Sequence, residues 1–205
     1  QVCGSGLRAI VSGYQSIKLG DNKIVVAGGQ ENMSKAPHAI FYREDKKLSE
    51  NKLIDTMVHD GLIDAFNDYH MGITAENIAS KYKISRYEQD IFALDSQSKA
   101  QKAISENKFQ DEIINFQVKR KGKDFLFDRD EYPRSSLDLK KMSSLKTVFK
   151  KDGTVTAGNS SGLNDGAAAV VLMTREEAEK RSAKPIVKIV SWATCGVDPS
   201  LMGLG

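Results

Sequence analysis

The sequence has 205 residues, of which 40% are apolar and 28% are charged, as in ordinary globular proteins. The formal net charge of +3 lacks the large, clustered basic excess of nucleic-acid binders, and no apolar run reaches the roughly 20 residues that a membrane-spanning helix needs. Only two cysteines, Cys3 and Cys195, are present. They form no disulfide framework, so we expect a reducing, cytoplasmic environment.

The N-terminal segment predicts a helix followed by a buried strand. Apolar side chains from Leu7 to Ile17 fall on one helical stripe, and Gly20 supplies a stop. The apolar run Lys23 to Ala27 predicts a short strand that ends at Gly28-Gly29. A helix followed by an apolar strand is typical of an α/β fold.

The middle of the chain has the pattern of a segment inserted into this core. A polar stretch with weak periodicity runs from Asn32 to Asn67, and Thr74 is the predicted cap of a short helix that ends at Lys81. Ser85 and Glu88 form a capping-box pattern for a longer helix. Beyond it, two apolar segments flank the basic turn at Gly122 and predict a β-hairpin.

The C-terminal third predicts a return to the core. Ala167 to Met173 is apolar on both faces, which predicts a central strand with both faces covered. Thr174 and Glu177 form a second capping-box pattern that opens a helix. After Pro185, a further strand is predicted from Ile186 to Trp192.

Cys3 is the strongest candidate for a reactive side chain. It precedes Gly4-Ser5-Gly6 and a predicted helix, where backbone N–H groups and the positive end of the helix dipole favour a thiolate. Such a cysteine suits nucleophilic catalysis. The local sequence is equally compatible with a small buried hydrophobic residue.

Two further segments have both a functional and a structural interpretation. The loop from Val155 to Gly166 is rich in Gly, Ser and Asn, and either holds an extended polar ligand or satisfies its own backbone. His70 either lines a pocket with Met71 or is a structural histidine. No His, Cys, Asp and Glu cluster has metal-ligand spacing, and no dinucleotide or Walker motif occurs, so we expect no metal and no bound cofactor.

Several blocks in the same order resemble the thiolase family. Val2-Cys3-Gly4-Ser5-Gly6-Leu7 resembles the active-cysteine motif, and the similarity continues to the C-terminal end of the sequence. The other matching blocks are Ala27 to Ser34, His70 to Asn77, Gly158 to Ala168, Val190 to Ala193 and Gly196 to Pro199. The block with His70 is similar to the biosynthetic, acetoacetyl-CoA branch, whereas degradative long-chain thiolases tend to lack this histidine.

The resemblance implies a layered α/β thiolase fold with an inserted loop domain. It divides the sequence into a first part of the N-terminal core domain (1–34), the loop domain (35–160), a return to the core (161–184) and the start of a C-terminal domain (185–205). Within the loop domain, Ala36 to Leu53 matches in position the stretch that joins dimers into tetramers. The resemblance therefore implies a homo-oligomer, a dimer of dimers.

The implied activity is that of an acetyl-CoA C-acetyltransferase. Cys3 is the implied acyl-accepting nucleophile, and acetyl-CoA, acetoacetyl-CoA and CoA are the implied partners, with no nucleic acid and no membrane. The implied CoA contacts are Leu62, His70, Met71, Arg134, Phe149, Ala157, Ser160, Ser161, Leu163 and Met202. Lys141 departs from the family, in which Ser is common at this position, and Cys195 does not match the second-cysteine motif.

Three family motifs are absent from these 205 residues: Gly-His-Pro, Cys-x-Gly and Asn-Glu-Ala-Phe. We therefore expect the sequence to be an internal part of a longer thiolase that is inactive without the remainder. The alternatives are a degradative 3-ketoacyl-CoA thiolase and a truncated, non-enzymatic product. The length of the reading frame distinguishes an enzyme from a truncated product.

Overall fold

A computed structural model describes residues 1–41 and 52–205. Most of the predicted tetramer-forming stretch, Ala36 to Leu53, lies outside the described residues. The chain divides into two compact units, 1–63 with 163–197 and Gly205, and 64–162 with 198–204. The domain boundaries implied by the family resemblance stay a prediction.

The first unit is built around a helix on a two-stranded antiparallel sheet. Helix α1 (Ser5–Leu19) is followed by strand β1 (Ile24–Asn32), which pairs along its whole length with β8 (Asp165–Met173). A Cβ atom at Gly13 of α1 would lie 2.9 Å from Leu172 Cδ1 and 3.0 Å from Val25 Cγ1. The absence of a side chain at Gly13 therefore lets α1 pack closely against both strands.

Short elements complete the first unit. They are β2 (His38–Ala39), β3 (Ile54–Asp55), α2 (Thr56–Gly61) and α6 (Arg175–Lys180). Strands β2 and β3 pair with each other, and the Asp55 carboxylate caps α2 by accepting from the amides of Met57 and Val58. At the far end of the β1–β8 pair, the amide and hydroxyl of Ser34 donate to the Asp165 carboxylate. These bonds lower the pKa of Asp165, the hydroxyl bond most.

The second unit contains two longer helices and a hairpin. The short strand β4 (Ile63–Asp64) includes the last residue of the first unit's N-terminal segment and the first residue of the second unit, and β5 (Tyr69–His70) follows in the second unit. The other elements are α3 (Met71–Tyr82), α4 (Arg86–Ser105), β6 (Phe116–Arg120), β7 (Lys123–Phe127) and α5 (Leu139–Ser143), followed by a 3-10 helix at Pro199–Leu204. The apolar side chains of Ala79, Met142 and Val155 are buried in this unit.

Several predicted elements are confirmed with small changes in their bounds. Ser85 caps α4 in a complete capping box with Glu88. Residues Lys121 and Gly122 both have positive φ, so they form the tight turn that matches the twist of β6 and β7. Thr174 caps α6, but Glu177 forms an ion pair with Arg181 and does not complete the predicted box.

Three predictions at the element level are wrong. Strand β1 continues through Gly28-Gly29 to Asn32, because β8 pairs with it along that length. Helix α3 begins at Met71 with His70 as its cap, while the Thr74 hydroxyl donates to the Met71 carbonyl. Residues 186–192 form no strand, since no described segment pairs with them.

The predicted central position of β8 is also not observed among the described residues. There β8 pairs only with β1, and Val170 and Val171 are 44% and 60% exposed. In the part of the chain that the structure describes, no helix combines the length and apolar character that crossing a bilayer requires.

Candidate active site

Cys3 lies in a 3-10 turn at Val2–Gly4 that leads directly into α1. The cysteine is exposed, which excludes the interpretation as a buried hydrophobic residue. Val2, directly before it, has a φ of 47°, a conformation that β-branched residues rarely adopt. Such local strain is often found beside functional groups.

The N-terminal turn of α1 has no side-chain cap for its first backbone amides. Its cap residue is Gly4, which has no side chain to accept from the first amides, and the first turn contains no acidic residue. The guanidinium of Arg8 lies in the next turn, 5.4 Å from the ring centre of Trp192. The uncapped amides of this first turn therefore place the positive end of the helix dipole beside Cys3.

Glycine residues leave the backbone around Cys3 accessible. A Cβ atom at Gly6 would have no heavy atom within 4 Å, and one at Gly29 of β1 would lie 3.7 Å from the Gly6 Cα. Strand β1 therefore passes the first turn of α1 with ordinary contact distance. This open turn can admit a thioester carbonyl to the sulfur.

In the second unit, the structure brings His70 and Phe149 together. Their rings stack with centroids 4.6 Å apart and an angle of 22°. The Gly72 amide donates to His70 Nδ1 at 3.0 Å, so a neutral His70 carries its proton on Nε2. Phe149 also packs on the first turn of α3, where a Cβ atom at Gly72 would lie 2.2 Å from its ring.

The pKa of His70 is lowered because partial burial removes water from its charged form. The unfolded chain therefore binds a proton at a higher pH than the folded chain does, near the ordinary value of about 6.5. The stability associated with neutral His70 is present above that pH and is lost as the pH falls through it. A neutral, oriented Nε2–H is a hydrogen-bond donor for a ligand oxygen.

We expect His70→Asn to reduce the pH dependence of stability between about pH 7.5 and 5.5, where carboxylates of ordinary pKa stay ionised. Asparagine can keep the helix cap by accepting from the Gly72 amide, but it does not titrate. The measurement is urea unfolding of both proteins at several pH values. Parallel stability curves would show that His70 does not contribute, since His38 and His59 are common to both.

The loop that follows Phe149 carries three other predicted CoA contacts, Ala157, Ser160 and Ser161. Its side chains largely satisfy its own backbone: Asn159 Oδ1 accepts from the Thr156 amide, and the Ser160 hydroxyl donates to the Thr156 carbonyl. Thr156 itself is fully buried. These bonds are those that the structural interpretation of the loop predicts, while Ala157 and Ser161 are exposed. A role of the loop in holding CoA stays a prediction.

The remaining predicted contacts lie in other places. Leu62 ends α2, and Leu163 is 61% exposed in the segment before β8. Met202 belongs to the 3-10 helix that packs on α3, where the Asn77 side chain donates to the Ser200 carbonyl. The amide of Arg134 donates to Gln97 on α4, beside a cavity of about 100 Å³ lined by Gln97, Gln101, Arg134 and Ser135.

Sequence reasoning missed the buried polar residues that support this loop. Glu76 and Asp90 are 5% and 1% exposed, and each carboxylate bonds to residues between 154 and 159. For Asp90, one signal was available in the sequence: Arg86 lies four residues earlier on the same predicted helix, a spacing that allows an ion pair. Within 1–41 and 52–205, no group of three or more His, Cys, Asp and Glu could hold a metal ion.

Comparison with known proteins identifies the family. Residues 1–176 match the family model described as the N-terminal domain of thiolase. The chain therefore belongs to the thiolase family, as its active-cysteine block indicates. The expectation of a thiolase-like α/β fold is confirmed by the solved structures below.

Acetyl-CoA acetyltransferases are among the similar proteins. Those of Rhizobium meliloti and Paracoccus denitrificans are 55% and 54% identical over 205 residues, which are 100% of this chain and 52% of each relative. The crystal structure of the Bacillus anthracis acetyl-CoA acetyltransferase matches with a TM-score of 0.93 and 43% identity, over 99% of this chain and 52% of that one. The chain thus spans about half the length of the curated relatives it matches.

A human enzyme is structurally almost as similar. Human mitochondrial 3-ketoacyl-CoA thiolase matches with a TM-score of 0.92 and 41% identity, over 99% of this chain and 52% of that one. Its structure in complex with CoA matches with a TM-score of 0.91, also at 41% identity, over 99% of this chain and 51% of that one.

Proposed function

We propose that the protein, in its complete form, is an acetyl-CoA C-acetyltransferase that forms or cleaves acetoacetyl-CoA. The observation that carries the proposal is Cys3, exposed in the turn before α1 in a chain of the thiolase family. Relatives at 54–55% identity with the name acetyl-CoA acetyltransferase support the substrate. The chemistry uses CoA thioesters as substrates and needs no resident cofactor.

In the proposed reaction, the Cys3 thiolate attacks the thioester carbonyl carbon of an acyl-CoA. The new C–S bond forms as the bond to the CoA sulfur breaks, and CoA leaves as a thiolate that takes up a proton. In the second step, the α-carbon of acetyl-CoA loses one proton and bonds to the acyl carbonyl carbon, as the bond to the Cys3 sulfur breaks and Cys3 leaves as a thiolate. In the cleavage direction, the Cys3 thiolate attacks the 3-keto carbon of acetoacetyl-CoA, the C–C bond breaks, and the departing α-carbon takes up a proton to give acetyl-CoA. The CoA thiolate then attacks the acetyl-Cys3 thioester and releases a second acetyl-CoA together with the Cys3 thiolate.

The open turn around Cys3 supports the first of these steps. Backbone amides at the start of α1, which have no side-chain acceptor at the cap, can stabilise negative charge on the sulfur. Gly4 and Gly6 leave the space that a carbonyl group needs to approach. The proposal assigns the acyl-enzyme thioester to Cys3 alone.

The proposed CoA contacts are those that the family resemblance implies. The neutral His70 ring, held by Phe149 and by the Gly72 amide, offers its Nε2–H to an oxygen of the acyl or pantetheine group. Arg134 is proposed to bind phosphate, since a guanidinium matches phosphate oxygens in geometry and charge. The other proposed contacts are Leu62, Met71, Phe149, Ala157, Ser160, Ser161, Leu163 and Met202.

A degradative 3-ketoacyl-CoA thiolase is the second candidate, because the human enzyme of that name has nearly the same TM-score. The test is thiolysis of 3-ketoacyl-CoA substrates of increasing chain length by the protein expressed from its complete reading frame. We expect the highest kcat/KM with acetoacetyl-CoA. A higher kcat/KM with long chains would favour the degradative enzyme, and no thiolysis at any length would contradict both candidates.

We further propose a cytoplasmic homotetramer. Ala36 to Leu53 is the proposed contact between dimers, on the basis of its position in the family. Sedimentation analysis of the complete protein with and without this segment tests the assignment.

A further inference from the structure

Glu76 is a buried carboxylate on α3 that binds the backbone of the loop before Ala157. Its Oε1 accepts from the amides of Thr154 and Val155, both at 2.8 Å. Its Oε2 accepts from the Thr154 amide and the Thr154 hydroxyl, both at 2.9 Å. Among the described ion pairs none involves Glu76, so amide and hydroxyl donors compensate its charge.

The approach of the loop to Glu76 depends on Gly153. A Cβ atom at Gly153 would lie 2.4 Å from Glu76 Oε1, closer than any non-bonded contact allows. The Thr154 hydroxyl also accepts from Gln89 Nε2 of α4 at 2.9 Å. Helices α3 and α4 therefore both hold the start of the loop.

A second buried carboxylate holds the other end of the loop. Asp90 Oδ1 accepts from Asn159 Nδ2 at 2.9 Å, and Asp90 Oδ2 accepts from Arg86 Nε at 2.8 Å. Arg86 also donates to the carbonyls of Met142 and Leu145. The segment from Thr154 to Asn159 is thus fixed at both ends by carboxylates from different helices.

We propose that Glu76 is a positioning residue for the CoA-binding loop, a role that rests on the proposed function. Helix α3 carries His70 at its N-terminal cap and Glu76 in its second turn. One rigid helix therefore sets the position of His70 directly and that of Ala157, Ser160 and Ser161 through the Thr154 and Val155 amides. Glu76 itself makes no contact with CoA in this proposal.

The proposal predicts that loss of the Glu76 carboxylate weakens the binding of CoA and changes the reaction at Cys3 little. Glu76→Ala leaves buried amides without their acceptor, so the loop loses its fixed position, and we expect the KM for CoA in thiolysis to rise about tenfold. We expect kcat to change by less than about threefold, because the reacting groups are not altered. Acetylation of Cys3 by the small donor S-acetyl-N-acetylcysteamine should keep its wild-type rate.

Glu76→Gln is the conservative variant that should restore most of the CoA affinity. Its side-chain oxygen can accept from the two amides while its amide group donates to the Thr154 hydroxyl. We expect a KM for CoA within about threefold of wild type. Glu177→Ala is the matched control, since Glu177 is also a helical glutamate with only 13% side-chain exposure but makes its ion pair with Arg181, the residue that follows α6.

A merely structural role of Glu76 would give a different result. In that case Glu76→Ala would lower the activity per milligram, because less protein is folded, and would leave the KM unchanged. Glu177→Ala would have the same effect. That result would overturn the proposal. If Glu76→Ala does not fold, Gly153→Ala takes its place, because the new Cβ atom would lie 2.4 Å from Glu76 Oε1 and displaces the loop amides from the carboxylate. A wild-type KM in a folded Gly153→Ala protein would then overturn the proposal.

The dissociation constant of CoA, measured by titration calorimetry, separates this proposal from the proposed function. Absence of thiolysis in the wild-type protein would contradict the proposed function. The dissociation constants of CoA for the wild-type protein and for the Glu76 variants would still decide the role of Glu76. A constant about tenfold higher in Glu76→Ala supports positioning. Equal constants, or no CoA binding by the wild-type protein, overturn it.

Discussion

Cys3→Ala is expected to lower the kcat for acetoacetyl-CoA thiolysis by about 10⁴-fold or more, because removing a covalent nucleophile removes the acyl-enzyme route. The effect should fall on kcat, since Cys3 contributes little to CoA binding in the proposed site. The measurement is a steady-state assay of the complete protein with purified variant and wild type at equal folded concentration.

Cys195→Ala is the matched control for this prediction. Both cysteines are exposed, but Cys195 lies in a segment without regular structure and does not directly precede an α-helix as Cys3 does. We expect the Cys195 variant to retain wild-type kcat. Full activity of the Cys3 variant, or equal losses in both variants, would show that the nucleophile has been assigned to the wrong residue.

Gly28→Ala is expected to lower the free energy of unfolding by about 3 kcal/mol or more, because the new methyl group overlaps a rigid part of the sheet. A Cβ atom at Gly28 would lie 2.1 Å from the Ala168 carbonyl oxygen and 2.8 Å from the Ala169 Cα on the paired strand. Relief of the overlap requires strands β1 and β8 to separate. The measurement is urea unfolding followed by circular dichroism.

The neighbouring glycine provides the control for Gly28. A Cβ atom at Gly29 meets only the Gly6 Cα, at the ordinary contact distance of 3.7 Å. We therefore expect Gly29→Ala to leave the unfolding midpoint nearly unchanged. Equal destabilisation by the two substitutions would show that the contact with Ala168 does not determine the loss, since alanine is no worse a strand residue than glycine.

Local signals predicted α1, α4, α6 and the hairpin, because each signal acts within a few neighbouring residues. The short helices α2 and α5 were not predicted. The apolar stripe of α1, the capping box at Ser85 and the turn at Gly122 all act within a few residues of themselves. The observed elements therefore begin and end within a few residues of their predicted bounds. The class of fold follows from their order along the chain.

The errors lie where a distant partner or an unusual cap determines the structure. Strand β1 passes through Gly28 because β8, more than 100 residues later, approaches it closely there. Residues 186–192 have the composition of a strand but no described segment bonds to them. Helix α3 starts three residues before Thr74 because an imidazole nitrogen, an infrequent capping group, accepts from the Gly72 amide.

The candidate site was only partly predictable for the same reason. Cys3 is followed directly by its helix, so the sequence alone gives its surroundings. The stack of His70 on Phe149 and the bonds of Glu76 to Thr154 join residues nearly 80 positions apart. A carboxylate within a helical pattern normally indicates a solvated face, which is why the burial of Glu76 and Asp90 was not predicted.

The most direct test of the account is the identification of the residue that carries the acyl group. The complete protein is mixed with acetyl-CoA, quenched in acid, digested and mapped by mass spectrometry. We expect an acetyl group on the peptide that contains Cys3, which disappears when CoA is added in excess before the quench. Acetyl on the Cys195 peptide, or no acetyl-cysteine while thiolysis proceeds, would contradict the assignment of Cys3 as the nucleophile.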